Sequence, residues 1–104
     1  MEKYYYTIAE VAEETGIAMS NIRFWEKEIP QLKPHRNERR TRFYTKEDIQ
    51  LIKNIIFLQQ QNLTLDGVRK KLRENNIDDL TRKQQISEKL ISIKEELRKM
   101  AKSL

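Results

Sequence analysis

The fold is decided by the stretch Thr7-Ile-Ala-Glu-Val-Ala-Glu-Glu-Thr-Gly16-Ile-Ala-Met-Ser-Asn-Ile-Arg-Phe-Trp-Glu-Lys27. Thr7 and the glutamate three residues after it form a capping-box pattern, which predicts that a helix begins after Thr7. Gly16 favours the left-handed backbone that ends a helix. The apolar spacing of Ile22 and Trp25 then predicts a second helix over about residues 19–27. Two short helices joined by a turn of a few residues are typical of a helix-turn-helix unit.

The next segment, residues 28–44, contains both prolines of the chain and cannot form one helix. We predict a β-hairpin with short strands over 33–36 and 41–44, joined by a tight polar connection near Asn37 and Glu38. The two-residue period of a strand would then place three side chains together on one face: Arg40, Arg42 and Tyr44.

Two more helices are predicted from caps and apolar spacing. Thr45 followed by Asp48 is a second capping-box pattern and starts a helix over about 46–60. Asn62 is suited to the left-handed residue that ends this helix. A further helix is predicted over about 65–73.

The last segment carries apolar side chains at alternating separations of four and three residues: Ile86, Leu90, Ile93, Leu97, Met100 and Leu104. This heptad seam gives a narrow apolar stripe that is suited to coiling against another helix. Thr81 followed by Gln84 predicts that the helix starts there. The alternative is a helix folded back on its own domain. Because the faces on either side of the apolar stripe are strongly polar, we favour pairing between two chains over folding back.

The net charge of +5 over 104 residues is concentrated in two places. Residues 33–46 hold six Lys and Arg against Glu38 alone, and residues 82–104 hold seven against three acids. A cationic stretch interleaved with Phe43 and Tyr44 is typical of a surface that contacts phosphates. The alternative reading of the stretch is a solvated loop.

Composition argues against several classes of protein. The longest apolar run, residues 55–58, is far shorter than the roughly 20 residues that cross a bilayer. The amino terminus lacks the pattern of a signal peptide, so we expect a cytoplasmic protein without a membrane partner. The chain has no cysteine, and its one histidine, His35, has no second ligand nearby in sequence. We therefore expect no catalytic residues, no metal and no cofactor.

Four motifs, in order along the chain, resemble those of the MerR family of bacterial transcription regulators. Tyr6-Thr-Ile-Ala-Glu-Val-Ala12 is similar to the opening helix of that family. Gly16-Ile-Ala-Met-Ser-Asn-Ile-Arg-Phe-Trp-Glu26 resembles its recognition helix, which ends in Arg-Tyr-Tyr-Glu. Arg42-Phe-Tyr-Thr-Lys-Glu-Asp-Ile49 resembles the motif that closes the first wing. Leu63-Thr-Leu-Asp-Gly-Val68 is similar to the start of the fourth helix.

The resemblance implies a mainly α fold. A winged helix-turn-helix of four helices and a small β-hairpin wing would occupy residues 1–76, and a dimerisation helix forming an antiparallel coiled coil would occupy 77–104. We expect a short form of the family without a C-terminal effector domain.

The resemblance also implies a homodimer that regulates transcription from a pseudo-palindromic promoter site in double-stranded DNA, in the cytoplasm and associated with the nucleoid. It admits RNA polymerase at the promoter as a further partner. We expect DNA contacts from Met19, Ser20, Asn21, Arg23, Phe24, Lys33, Arg36, Arg39, Arg40, Arg42 and Tyr44. The dimer interface is expected at Ile86, Leu90, Ile93, Leu97, Met100 and Leu104.

The chain departs from the family pattern at three places. Ala18 stands where a Ser or Thr cap is usual, and Phe24 lacks the hydroxyl of the family's tyrosine. In the wing, Arg40 and Thr41 replace a common Gly-Tyr pair. Two other functions stay open: a nucleoid or chromosome-organising DNA-binding protein, and a coiled-coil adaptor that binds other proteins.

Overall fold

The computed structural model describes residues 4–74 and 77–103. Within these residues the chain forms five helices and one two-stranded antiparallel sheet. The elements, in order, are α1 (Ile8–Thr15), α2 (Met19–Glu28), β1 (His35–Arg36), β2 (Arg42–Phe43), α3 (Lys46–Gln60), α4 (Leu65–Glu74) and α5 (Ile77–Ser103). The predicted mainly α architecture, with a hairpin wing and a long last helix, is confirmed.

Local capping builds the helix-turn-helix. The Glu10 backbone N–H donates to Thr7 Oγ1 at 3.2 Å, and the Thr7 N–H donates to Glu10 Oε1 at 3.1 Å, so the predicted capping box is present. Gly16 has a φ of 74°, and its N–H donates to the Ala12 carbonyl, which ends α1. Helix α2 begins at Met19 without a side-chain cap. The turn between the two helices is therefore as short as the sequence predicts.

The wing is smaller than predicted because its turn takes five residues. The Asn37 side chain closes that turn, since its Oδ1 accepts from the N–H groups of Arg39 at 2.9 Å and Thr41 at 3.0 Å. The Asn37 carbonyl also accepts from the N–H of Arg40, whose φ is 60°. Each strand keeps two residues, and the paired positions are His35 with Phe43 and Arg36 with Arg42.

The prediction that Arg40, Arg42 and Tyr44 lie together on one face of the strand is wrong. Arg40 lies in the turn, in a left-handed conformation that interrupts strand alternation. Tyr44 forms a β-bridge with Tyr6, with both backbone hydrogen bonds at 2.8 Å, and its side chain is buried in the core. The N-terminal segment thus pairs with the wing just after β2, and this pairing holds that end of the wing against the core.

Capping also sets the limits of α3 and α4. The Asp48 N–H donates to Thr45 Oγ1 at 3.2 Å and the Thr45 N–H donates to Asp48 Oδ2 at 2.9 Å, which confirms the second capping box. Asn62, with a φ of 64°, follows the end of α3 as predicted. The Gly67 N–H donates to Thr64 Oγ1 at 3.2 Å in the first turn of α4.

The predicted start of the last helix at Thr81 is wrong, because α5 begins at Ile77 and Thr81 lies inside it. Thr81 Oγ1 instead accepts a hydrogen bond of 3.0 Å from Nδ2 of Asn54, which is fully buried on α3. Gln84 is also buried, and its Oε1 accepts from Gln50 Nε2 at 2.8 Å. The polar side chains of this segment are therefore used in packing α5 on α3.

One core holds the described residues together. Its fully buried side chains come from the first four helices, the wing and the connection between α2 and β1: Val11, Ile22, Ile29, Leu32, Tyr44, Ile52, Asn54, Ile55 and Val68. Leu80 on α5 is also buried there, so the first turns of α5 pack with the preceding residues. The division into 1–76 and 77–104 stays a prediction. Because α2 and the wing share this core, their outer faces are held in a fixed relation.

Candidate nucleic-acid interface

The outer face of α2 is exposed where the helix begins. Ile22 and Trp25 turn inward, with at most 5% of either residue exposed. The five residues predicted on this helix to contact DNA are all exposed: Met19, Ser20, Asn21, Arg23 and Phe24. An exposed first turn without a side-chain cap presents backbone N–H groups and the positive end of the helix dipole to an anion.

A groove lined by cations separates α2 from the wing. Its walls are Arg23, Lys27, Lys33, Arg36 and Arg42, together with Leu32, Pro34 and Glu26. We call this the α2–wing groove. Four of its cations were predicted from sequence, whereas Lys27 was missed. The signal that could have found Lys27 is its spacing, since it lies four residues after Arg23 and so on the same face of α2.

An ion pair joins α2 to the wing at the base of this groove. Arg42 Nε lies 2.9 Å from Glu26 Oε2, and the Tyr44 hydroxyl donates to Glu26 Oε1. The Glu26 side chain is 8% exposed and that of Arg42 is 31% exposed. Burial, reinforced by the hydrogen bond to Glu26, raises the pKa of the Tyr44 phenol well above its usual range. Tyr44, expected to face DNA, is instead an internal support of the wing, and that expectation is wrong.

The tip of the wing presents further cations. Arg39 and Arg40 are both exposed in the turn that Asn37 closes. Lys33 and Arg36, nearer the base of the wing, are exposed as well. The predicted wing cations therefore lie at the surface, apart from Arg42, which is half-buried.

A second ion pair fixes α4 to the end of α2. Arg69 Nη1 donates to the carbonyl oxygen and to Oε2 of Glu28, each at 3.0 Å, and Arg69 Nη2 donates to Asp66. The hydrogen bond with Asp66, followed by that with Glu28, raises the pKa of the Arg69 guanidinium. Sequence reasoning missed Arg69, because nothing local in the sequence connects it with Glu28, 41 residues away.

These features together form a surface suited to a polyanion. Five cations and one acid, among the described residues, line a groove beside an exposed helix face. Such a surface gains affinity by releasing the counterions of nucleic-acid phosphates. Within residues 4–74 and 77–103, His, Asp and Glu form no group of three placed to hold a metal ion. Nor does that part of the chain contain a helix long and apolar enough to cross a membrane.

Comparison with known families matches residues 6–75 to the family described as MerR HTH family regulatory protein. The chain belongs to the MerR family. It is a DNA-binding transcriptional regulator of that family. Comparison with curated proteins found no match.

Solved structures of MerR-family regulators share the fold. A MerR-family transcriptional regulator from Bacillus cereus has a TM-score of 0.62 at 22% identity, covering 93% of this chain and 75% of its own. HiNmlR, a MerR-family regulator lacking the sensor domain and bound to promoter DNA, has a TM-score of 0.60 at 22% identity, with coverages of 93% and 85%. A MerR-family regulator from Bacillus thuringiensis has a TM-score of 0.56 at 23% identity, with coverages of 94% and 98%.

The last helix of this MerR-family chain carries a second candidate interface. Five of the six predicted seam residues are half or more exposed: Ile86, Leu90, Ile93, Leu97 and Met100, at 50–64%. Leu104 lies outside the described residues. Ile91, which is off the seam, is exposed as well, at 52%. A helix of 27 residues is about 40 Å long, so α5 extends well beyond the part that packs on α3.

Proposed function

We propose that this MerR-family chain acts as a homodimer that binds a pseudo-palindromic promoter site in double-stranded DNA and regulates transcription there. The observation that carries the proposal is the α2–wing groove, in which five cations border the exposed face of α2. An α-helix such as α2 fits the major groove of B-form DNA. The cations beside α2 would then be within reach of the flanking phosphates. The shared fold with HiNmlR, described as bound to promoter DNA, supports the same role for this chain.

The homodimer is supported by the apolar stripe of α5. Fully burying a large aliphatic side chain stabilises by about 1.5–3 kcal/mol, and each of the five seam residues that the structure describes is at least half exposed in the monomer. Five such side chains in each protomer would contribute several kcal/mol on pairing. Two copies joined by a two-fold axis present two recognition helices in opposite senses, and this is the symmetry that a pseudo-palindrome matches.

The proposed DNA contacts divide by chemistry. Met19, Ser20 and Asn21 lie in the first exposed turn of α2, where base edges would be read, and the Asn21 amide can pair with adenine through both its donor and its acceptor. Phe24 offers an apolar ring beside them. The cations contact phosphates and set affinity: Arg23, Lys33, Arg36, Arg39, Arg40 and Arg42. RNA polymerase is the further partner that we propose at the promoter, and the place of action is the nucleoid in the cytoplasm.

The test is selection of bound duplexes from a random pool, followed by affinity measurement over a range of salt. We expect a two-fold-related consensus and an affinity that falls steeply with salt. Leu97→Asp is the matched control, because a charge in the seam should leave α2 and the wing unchanged while separating the protomers. Salt-dependent binding without a consensus would indicate a chromosome-organising protein. No duplex binding at low salt would leave the adaptor function instead.

A further inference from the structure

The α2–wing groove contains a feature that opposes its proposed use. Glu26 is the one acid among the described residues that line the groove, and a carboxylate beside a phosphate weakens binding. We propose that Glu26 is a positioning residue that holds the Arg42 guanidinium in the orientation that binds a DNA phosphate. The inference rests on the proposed function, since it assigns how one wing cation contacts DNA.

The geometry at Glu26 accounts for both of its oxygens. Oε2 lies 2.9 Å from Arg42 Nε, and Oε1 accepts from the Tyr44 hydroxyl. Tyr44 is itself fixed, because its ring is buried and its backbone is bridged to Tyr6 by two hydrogen bonds of 2.8 Å. The Glu26 side chain, which is 8% exposed, is thus held in place by Tyr44, a residue of the core.

The Arg42 guanidinium therefore contacts the protein along one edge, through Nε. Nε is buried 2.9 Å from Glu26 Oε2, in an ion pair rather than an aligned hydrogen bond, while 31% of the side chain stays exposed in a groove that Arg23 and Arg36 also line. A guanidinium presents five donors in a fixed plane, so fixing Nε orients the two terminal nitrogens as well. An oriented arginine loses less rotamer entropy when it binds phosphate than a freely rotating one.

Simple electrostatics and positioning make opposite predictions for the removal of the Glu26 charge. By charge alone, a neutral residue in the groove should bind DNA as tightly or more tightly, because a repulsion with phosphate disappears. If Glu26 positions Arg42, the same change should weaken binding, because the arginine loses its orientation. The sign of the effect therefore separates the two accounts.

The experiment compares Glu26→Gln with Glu38→Gln, an exposed acid in the turn of the wing, each in the wild-type chain and in Arg42→Ala. Binding to one duplex is measured over a range of salt. We expect Glu26→Gln to weaken binding by about tenfold, since the ion pair that orients Arg42 is lost in both protomers. The slope of log affinity against log salt should flatten by up to about 2 units in the dimer. Glu38→Gln should bind as tightly as the wild type or more tightly.

The Arg42→Ala background separates positioning from a general structural role. If Glu26 acts through Arg42, Glu26→Gln should cause no further loss there and should raise affinity slightly. An equal loss in both backgrounds would overturn the proposal, as would a gain in affinity for Glu26→Gln in the wild-type chain. If Glu26→Gln does not fold by circular dichroism, Glu26→Asp takes its place. That variant keeps the charge but shortens the reach to Nε, and wild-type affinity for folded Glu26→Asp would also overturn the proposal.

The wild-type chain separates this inference from the proposed function. Absence of salt-dependent duplex binding by the wild type would remove the proposed function itself. Normal binding by the wild type, together with normal or tighter binding by Glu26→Gln, would overturn only the role of Glu26.

Discussion

Replacing Asn54 by leucine should destabilise the protein by more than any substitution at an exposed position of α3. Asn54 is fully buried; its Nδ2 donates to Thr81 Oγ1 at 3.0 Å and its Oδ1 accepts from Gln50 Nε2 at 3.1 Å. Leucine has a similar volume, so the main losses are two hydrogen bonds, each worth about 0.5–1.5 kcal/mol, and the desolvation of the partners left behind. We expect a decrease of about 2 kcal/mol in the free energy of unfolding.

A double-mutant cycle with Thr81→Val tests the reasoning. When both partners become apolar, no buried polar group is left unpaired at this contact, so the double variant should lose less than the sum of the single losses. The assay is urea unfolding followed by circular dichroism at one fixed protein concentration, because dimerisation would make stability depend on concentration. Gln59→Leu, on the exposed face of α3, is the control and should change stability by less than about 0.5 kcal/mol. Strict additivity, or a loss for Asn54→Leu no greater than that of the control, would refute the α3–α5 hydrogen bonds.

Four further outcomes are expected. Leu97 is exposed on the seam, so Leu97→Asp should convert a dimer to a monomer. Sedimentation at tens of micromolar checks this, and a wild type that is already monomeric would contradict the proposed dimer. Asn21→Ala should change the ranking of duplexes, whereas an equal loss for every duplex would mean that α2 does not read bases. Gly16→Ala should cost about 1–2 kcal/mol in urea unfolding, because φ is 74° although a Cβ would meet no atom within 4 Å; an unchanged midpoint would contradict the strain. Because the Tyr44 pKa is raised in the folded state, its contribution to stability is complete below the ordinary tyrosine pKa of about 10 and is lost as the pH rises above it. Tyr44→Phe should therefore lose less stability than the wild type between pH 9 and about 11, and parallel urea midpoints over that range would argue against this.

The limits of the helices show where local signals suffice. Thr7 and Thr45 each cap a helix through a residue three positions away, and Gly16 and Asn62 adopt the left-handed backbone predicted for them. Each of these interactions closes within a few residues, so its partners are already adjacent in the unfolded chain. Sequence patterns predict them for that reason.

Thr81 shows where the same kind of signal fails. Its sequence pattern with Gln84 resembles the two true capping boxes, yet α5 begins four residues earlier. The hydroxyl is used by Asn54, 27 residues away, and Gln84 is used by Gln50, 34 residues away. A buried hydrogen bond to a distant residue outweighs a local cap, because an unpaired buried amide costs more than an uncapped helix end.

The wing was predicted only in part. The cationic stretch and a hairpin were predictable, because clustered Lys and Arg and a polar turn are visible in sequence. The face of the wing on which each residue lies could not be predicted, because Asn37 places Arg40 in the turn and the bridge to Tyr6 buries Tyr44. Strand alternation is reliable over several residues, and here each strand has only two.

The amino-acid sequence by itself determined the helix-turn-helix, the presence of a wing, the apolar seam of the last helix and the family to which the chain belongs. All of these depend on spacings of a few residues or on ordered motifs. Tertiary structure alone decided that the α2 cations and the wing cations line one groove, that Glu26 pairs with Arg42, and that Arg69 ties α4 to α2. These are contacts between elements distant in sequence, and their geometry follows from packing around the shared core rather than from any local preference of the chain.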